Sequence, residues 1–252
     1  MIMETLFKND THVNILYSDL SEGHMVQANQ HLIVDNGEGF LLDPGGHKVY
    51  SALFGKISDY MPPNGLKHIF LSHQDPDIIA ATNGWLMVTD ARAHLSSLWI
   101  RFITHFGVDA LAVARIDEIP DEGKIIKVGS VELKIIPAHF LHSAGNFQVY
   151  DPVSKILYTG DLGASLGMDY TQVTNFDSHI QYMEGFHKRY IPGPQPMKMW
   201  AKMARNLDIE TIAPQHGAIM TGKENVSRFI DWIDNLECGA ALMGDAFKIP
   251  QS

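Results

Sequence analysis

The chain has 252 residues, of which 45% are apolar and 19% charged, and its formal net charge is −10. These proportions are ordinary for a globular protein. The negative charge argues against a nucleic-acid-binding role, because phosphate contacts need clustered Lys and Arg, and the single cysteine, Cys238, excludes an internal disulfide.

Short apolar runs separated by Gly, Pro, Asn and Asp predict the strands. In chain order these are 11–17, 30–35, 39–42, 67–71, 110–116, 124–128, 131–136, 147–150, 156–158 and 209–213. Apolar residues at helical spacing predict helices at 48–60, 77–88, 96–106, 197–207 and 224–236. Asp35-Asn-Gly-Glu-Gly39 and residues 151–155 are predicted hairpin turns.

Many strands and few helices, without strict β-α-β alternation, indicate an α+β protein in which two sheets pack face to face with helices outside. We see no linker or repeat and expect one domain over residues 1–252. The first ten residues do not resemble a secretory signal. No apolar run is long enough for a transmembrane helix, so we expect a cytoplasmic protein without membrane contact.

One segment, residues 70–77, concentrates potential metal ligands. An apolar strand ends at Leu71, and His73, Asp75 and Asp77 follow at alternate positions. In extended chain, side chains two residues apart point to the same side, so these three can converge on a metal. The alternative is local, since Asp-Pro-Asp also suits a turn and a helix N-cap.

Three later strands also lead into potential ligands. The strand at 131–136 precedes His139 and His142, the strand at 156–158 precedes Asp161, and the strand at 209–213 precedes His216. Four strand ends of this kind in one chain favour a metal site over a set of ordinary turns.

This order and spacing resemble the metallo-β-lactamase superfamily. The carboxylate Asp75 in the second motif position and Asp161 in the bridging position are most similar to the di-iron domain of flavodiiron proteins and to the single-domain oxygen-binding di-iron proteins. The resemblance covers roughly residues 11–236 and stops before the flavodoxin domain of flavodiiron proteins. It implies an αββα sandwich.

The resemblance also implies a ligand set. His73, Asp75 and His142 would hold one metal, Asp77 and His216 the second, and Asp161 would bridge both. His142 is preferred to His139 because the Ser-Ala-Gly-Asn-Phe segment after it is similar to the family's loop.

The chain departs from the pattern at Ile78, where the motif has a histidine. The second metal would then lack one protein ligand. That coordination position would be open, or be filled by a water or by His139, His24 or His94. Alternatively, the second metal would be lost.

The donor set predicts iron. Three imidazoles and three carboxylates without a thiolate suit iron or manganese better than zinc. Two divalent ions with three aspartates and a hydroxide form a neutral cluster, and anionic ligands stabilise the trivalent state. We therefore expect two iron ions, with zinc or manganese as the alternatives, and no bound FMN.

Other residues are expected to be structural. The turn Asp43-Pro-Gly-Gly46 is expected to support the site as a turn. Seven histidines are expected at the surface or with local partners: His12, His31, His47, His68, His105, His179 and His187. Five side chains are weighed between core packing and the wall of a small apolar gas pocket: Trp85, Phe140, Phe147, Met168 and Tyr170.

The resulting hypothesis is a di-iron protein that binds dioxygen or another diatomic gas and signals to a partner protein. The first alternative is an O2 or NO reductase fed by a separate electron-transfer protein. The second is a zinc-dependent hydrolase, in which a metal-bound hydroxide attacks an ester, thioester or lactam. Enzymatic activity is left open, and we expect a homodimer.

Overall fold

A computed structural model of the chain describes residues 2–21 and 23–250, which form two β-sheets with helices on their outer faces. The strands of the first sheet lie side by side in chain order. They are β1 (Ile2–Lys8), β2 (His12–Ser18), β3 (Gln30–Asp35), β4 (Glu38–Leu42), β5 (Leu66–Phe70), β6 (Arg92–Ser96) and β7 (Ile116–Ile119). Strands β1 to β4 pair antiparallel, and β4 to β7 pair parallel.

The second sheet has its last strand at one edge and its first at the other. Its strands are β8 (Lys124–Val128), β9 (Val131–Pro137), β10 (Phe147–Asp151), β11 (Ile156–Gly160), β12 (Thr211–Pro214) and β13 (Met220–Thr221). All neighbours pair antiparallel except β11 and β12, which are parallel.

The helices fall into two groups along the chain: one group lies between β4 and β7, and the other comes after β11. The helices are α1 (His47–Tyr60), α2 (Pro76–Ile79), α3 (Thr82–Val88), α4 (Ala110–Val113), α5 (Phe176–Tyr190), α6 (Pro194–Ala204) and α7 (Lys223–Asn235). Short 3-10 helices cover Pro63–Gly65, Ile100–Phe106 and Gly239–Leu242. No helix in the described ranges is both long and apolar enough to cross a membrane.

Buried apolar side chains form three layers of core. The central layer lies between the sheets and includes Phe40 and Phe70 from the first sheet and Phe147 and Val149 from the second. One outer layer packs the first sheet against α1 to α4, and the other packs the second sheet against α5 to α7. This is the predicted α+β sandwich.

Most predicted strands and both hairpins are confirmed. Asn36 and Gly37 adopt φ values of 49° and 83°, and Asp35 pairs with Glu38 across the turn. Such positive φ at both central positions matches the twist of a two-residue hairpin.

Three element predictions were wrong. Residues 110–116 were predicted as a strand, but the chain forms α4 first, where the Asp109 carboxylate accepts from the Leu111 N–H, and reaches β7 only at Ile116. The predicted helix at 77–88 is the two short helices α2 and α3. The predicted helix at 96–106 is a 3-10 helix that begins only at Ile100, because Ser96 ends strand β6 and residues 97–99 form a turn.

Candidate metal centre

The loop after β5 lies where the two sheets meet. The Ser72 N–H donates to the Asp43 carboxylate at 2.8 Å, and the Ser72 carbonyl accepts from the Phe147 N–H at 3.0 Å. Asp43 directly follows β4, and Phe147 begins β10. The loop that carries His73 is thus hydrogen-bonded to both sheets.

Asp75 occupies the N-cap position of α2, but its side chain makes no capping hydrogen bond. Instead the Gln74 Nε2 donates to Asp75 Oδ1 at 2.9 Å, and the Ser143 hydroxyl donates to the Gln74 side-chain oxygen. The Asp75 carboxylate therefore does not act as a helix N-cap, which was the alternative to a metal ligand. It faces a cluster of His and Asp side chains instead.

The second sheet contributes three loops at the same edge. His142 lies between β9 and β10, Asp161 directly follows β11, and His216 lies two residues after β12. Gly217 next to it has a φ of 87°, and a Cβ there would lie 2.1 Å from the Ser165 hydroxyl oxygen. Only glycine fits this position, which keeps the His216 loop tight against the loop of Ser165.

Four side chains form one compact group, with potential ligand atoms within 4.8 Å of one another: His73, Asp75, His142 and Asp161. Asp75 Oδ2 lies 3.6 Å from His73 Nε2 and 3.4 Å from His142 Nε2. Asp161 Oδ2 lies 3.7 and 3.0 Å from the same two nitrogens.

The other oxygen of Asp161 faces a second group. Asp161 Oδ1 lies 3.5 Å from His216 Nε2, and Asp77 Oδ2 lies 3.4 Å from that nitrogen. The two oxygens of one buried carboxylate therefore point to opposite groups of side chains. This is the arrangement that a carboxylate bridging two metals requires.

The charges of the cluster stabilise one another. Burial alone would lower the pKa of His142, but the carboxylates of Asp161 and Asp75 outweigh it and raise the pKa to about 10. Burial also opposes the charge on His216, yet its acidic neighbours, led by Asp77, raise its pKa to about 9. Burial would raise the pKa of Asp161, but the surrounding imidazoles, led by His73, lower it to about 2.

Two features of the cluster fit metal ions. His73 Nε2 and Asp161 Oδ1 are buried and have no hydrogen-bond partner among the described residues. Leaving such atoms unsatisfied costs about 1–3 kcal/mol each, and a cation would satisfy both. The donors are imidazole nitrogens and carboxylate oxygens without a thiolate, which suits iron.

The candidate replacements for the missing histidine lie elsewhere. His139 Nε2 is 2.9 Å from the Asp121 carbonyl oxygen, and His94 Nε2 is 3.0 Å from His68 Nδ1. His24 is exposed and does not line the cavity at the cluster. Ile78 itself is fully buried in the core layer under the first sheet, so its side chain takes no part in the site.

Most of the histidines that were expected to be structural have local partners. His12, His68, His179 and His187 have hydrogen-bond partners, whereas the ring nitrogens of buried His31 have none among the described residues. Trp85 and Phe147 pack in the core, and Phe140 is half-exposed. None of the five side chains considered for a gas pocket lines the cavity at the cluster.

A cavity of about 800 Å³ opens onto the cluster, and its lining includes Asp75, Asp77, His142, Asp161 and His216. Part of its wall comes from α5, which the sequence analysis did not predict. The buried stripe of α5 is Phe176, His179, Met183 and His187. Two histidines interrupt its apolar periodicity, but the helical spacing and the Asn175 cap were available as signals.

The chain is similar to a known protein family and to solved structures over most of its length. Residues 26–217 match the family described as ODP family beta lactamase. A solved structure of a peroxy diiron species of the chemotaxis sensor ODP is 39% identical, has a TM-score of 0.88, and is matched over 98% of this chain and 100% of that chain.

Two further matches are more distant. A flavo-diiron protein variant from Thermotoga maritima is 18% identical with a TM-score of 0.77, over 92% of this chain and 60% of that chain, and shares the fold. An uncharacterized protein of Methanocaldococcus jannaschii is 25% identical over 222 residues. That match includes 82% of this chain, which spans about half (53%) of that relative's length.

Proposed function

The chain belongs to the ODP family of beta-lactamase-fold proteins, as its motifs indicated, and from this premise we propose that it binds dioxygen at a pair of iron ions and signals oxygen to a partner protein. The observation that carries the proposal is the orientation of Asp161, whose two oxygens face different histidines within 3.0 and 3.5 Å. The relative known as a chemotaxis sensor with a peroxy diiron species supports both halves of the proposal.

The proposed ligands divide as follows. His73, Asp75 and His142 would hold the first iron, Asp77 and His216 the second, with Asp161 shared. Ferrous ions at these positions would supply the electrons and the open coordination positions that dioxygen binding needs.

The protein's own residues keep the donors in place. His216 Nδ1–H donates to the Gln27 carbonyl at 2.6 Å, so Nε2 is the atom that faces the site. His73 Nδ1 lies 2.9 Å from the Ser72 hydroxyl, which directs its Nε2 inward in the same way. Asp75 is fixed by Gln74, as described above.

Helix α5 provides a route from the site to the surface. The rings of Phe186 and Tyr190 lie 5.9 and 5.8 Å from the His142 ring. The Gly163 N–H, two residues after Asp161, donates to His187 Nε2 at 2.9 Å. A change in either ligand loop therefore acts on α5, and we propose that the signalling partner contacts the surface around it.

The whole chain is proposed to work as one metallo-β-lactamase-like unit. Strand β1 at the beginning pairs with β2 in the first sheet, and α7 near the end packs on the second.

The test is an anaerobic loading with ferrous iron, followed by cycles of air and nitrogen under a visible spectrometer. We expect a charge-transfer band that appears with air and relaxes when oxygen is removed. If no band forms and iron washes away while zinc stays, the hydrolase alternative takes its place. Steady oxygen or NO consumption with an added electron donor would instead support the reductase.

A further inference from the structure

The cavity at the metal centre is much larger than a diatomic gas needs. Its volume of about 800 Å³ lies in the range of sites for organic ligands. Apolar side chains form much of its wall: Met25, Val26, Leu166, Phe186 and Tyr190. The rings of Phe186 and Tyr190 stack with centroids 4.7 Å apart, which offers a flat surface to a small apolar molecule.

One side of this cavity contains an unpartnered amide. Gln30 on β3 is fully buried and lines the cavity, and neither its side-chain nitrogen nor its side-chain oxygen has a partner among the described residues. A buried amide without hydrogen-bond partners is unfavourable, because it has given up its bonds to water without gaining any within the protein. A polar ligand group that reached Gln30 would remove part of this cost.

The N-terminus of α1 reaches the same side of the cavity. Gly46, His47, Lys48 and Val49 line it, and the N-cap Gly46 has no side chain to cap the helix. The Val49 N–H donates to the Gly46 carbonyl at 3.2 Å. The N–H groups before it precede the first turn and carry partial positive charge, so they attract an anion. Gly45 places this end against Gln30, since a Cβ on Gly45 would lie 3.5 Å from Gln30 Nε2.

The charges at the cavity favour an anion with a single charge. Lys48 and Arg189 both line it, and neither forms an ion pair within residues 2–21 and 23–250. Three aspartates of the metal centre line the same cavity, so each further negative charge on a ligand adds repulsion, and a dianion such as phosphate is repelled about twice as strongly as a monoanion. A carboxylate carries one charge and accepts hydrogen bonds at two oxygens.

We propose that this cavity has a subsite for a small organic acid with an apolar body. The Gln30 Nε2–H and the N-terminus of α1 bind the carboxylate, Lys48 attracts it, and the stacked rings of Phe186 and Tyr190 contact the apolar part. The subsite lies outside the proposed ligand set and does not need metal. As a consequence that does rest on the proposed function, its occupant would control access of gas to the metals.

The test is titration calorimetry on the metal-free chain of 252 residues, with hexanoate and benzoate as acids and 1-hexanol as the neutral probe. We expect one saturable site for the acids and at least tenfold weaker binding of the alcohol. Because no metal is present, the result does not depend on whether the chain binds oxygen.

Variants then locate the subsite. Gln30→Leu should weaken acid binding about tenfold without lowering the melting temperature, because it removes two unsatisfied buried atoms. Lys48→Ala should weaken it several-fold and reduce its salt dependence, whereas the control Lys56→Ala on the same helix should change neither.

Three results would overturn the proposal. These are equal affinity for hexanoate and hexanol, unchanged binding in folded Gln30→Leu, and tighter binding of inorganic phosphate than of the acids. If Gln30→Leu does not fold, two other measurements test the proposal. These are the affinity of the acids relative to the alcohol, and acid binding by Lys48→Ala relative to Lys56→Ala.

Discussion

Asp161 is the residue on which the proposed centre depends most, because its two oxygens serve two groups of side chains. The group of His73, Asp75 and His142 offers three further donors, whereas the group of Asp77 and His216 offers two. The first position should therefore bind metal more tightly than the second, where Ile78 leaves a donor missing.

The first prediction separates these two positions. We expect Asp161→Asn to lower bound iron at both positions and Asp77→Asn to lower it by about one ion per chain, because Asp77 faces only His216. Iron content per chain after anaerobic loading and gel filtration measures this. The exposed Asp90→Asn is the control, and equal iron content in the two site variants would contradict the expectation.

The second prediction concerns the two histidines three residues apart. His142→Ala should abolish the oxygen-dependent band, since its Nε2 lies within 3.4 Å of both Asp75 and Asp161. His139→Ala should leave the band unchanged, because its ring nitrogen is 2.9 Å from the Asp121 carbonyl oxygen instead. The reverse pattern would reassign the ligand.

At the scale of elements, α5 connects the ligand loops to the surface. The third prediction is that hydrogen exchange of α5 amides differs between the anaerobic and the air-exposed iron-loaded protein, because its aromatic rings contact His142. Helix α6, none of whose residues lines the cavity at the cluster, serves as the internal reference. Identical exchange of α5 in both states would rule this helix out as the output element.

A buried clamp joins strands of the two sheets. His12 on β2 lies between Asp35 at the end of β3, 3.2 Å from its Nδ1, and Asp151 at the end of β10, 2.7 Å from its Nε2. Burial alone would lower the pKa of His12, but Asp151 and Asp35 raise it above 6.5. Burial would raise the pKa of each aspartate, and hydrogen bonds, including those from His12, lower it below 3.8.

The fourth prediction follows from the signs of these shifts. The His12 contribution to stability is complete below its unfolded pKa of 6.5 and is lost as pH rises through its higher folded value. The aspartate contributions are present above 3.8 and are lost as pH falls through their lower folded values. The clamp therefore stabilises the fold most between these limits.

Melting temperatures of the wild type and His12→Gln, measured at pH values about one unit apart from pH 4 to pH 9, would follow this single titration. We expect the difference between the two proteins to be largest near pH 5–6 and to shrink at higher pH, with a loss of about 3 kcal/mol at the maximum. A difference that does not vary with pH would show that the clamp acts through packing alone.

At the scale of the whole molecule, the proposed centre links the two sheets. His73, Asp75 and Asp77 follow a strand of the first sheet, and His142, Asp161 and His216 belong to loops of the second. Metal ions bound between them would bind the folded chain and not the unfolded one. Such binding stabilises the folded state by mass action.

The fifth prediction is that ferrous iron at one hundred times its dissociation constant raises the free energy of unfolding by about 2.7 kcal/mol. For a chain of this size that corresponds to roughly 5–10 °C in melting temperature. Differential scanning calorimetry with and without a chelator measures it, and Asp161→Asn should lose most of the increase. A melting temperature that is the same with and without iron would contradict a metal centre shared between the two sheets.

The sequence by itself determined the sandwich and the order of the proposed ligands. Both depend on local patterns: apolar runs of strand length, the Asn-Gly turn, and polar residues placed shortly after strand ends such as Phe70 and Gly160. It did not predict β1, β6 or α5, because an exposed edge strand, a short strand with Arg92 and His94, and a helix with two buried histidines lack a clear apolar period.

Only the tertiary structure decided which side chains meet. It turned His142 toward the Asp residues and His139 away, directed Ile78 into the core, and placed Gln30 beside the N-terminus of α1 in a cavity shared with α5. It also buried His12 between two strands that are far apart in sequence. The physical reason is that local spacing fixes the direction of a side chain relative to its own strand, whereas contacts between the sheets, such as that of His12 with Asp151 or of His142 with Asp75, depend on how the two sheets pack.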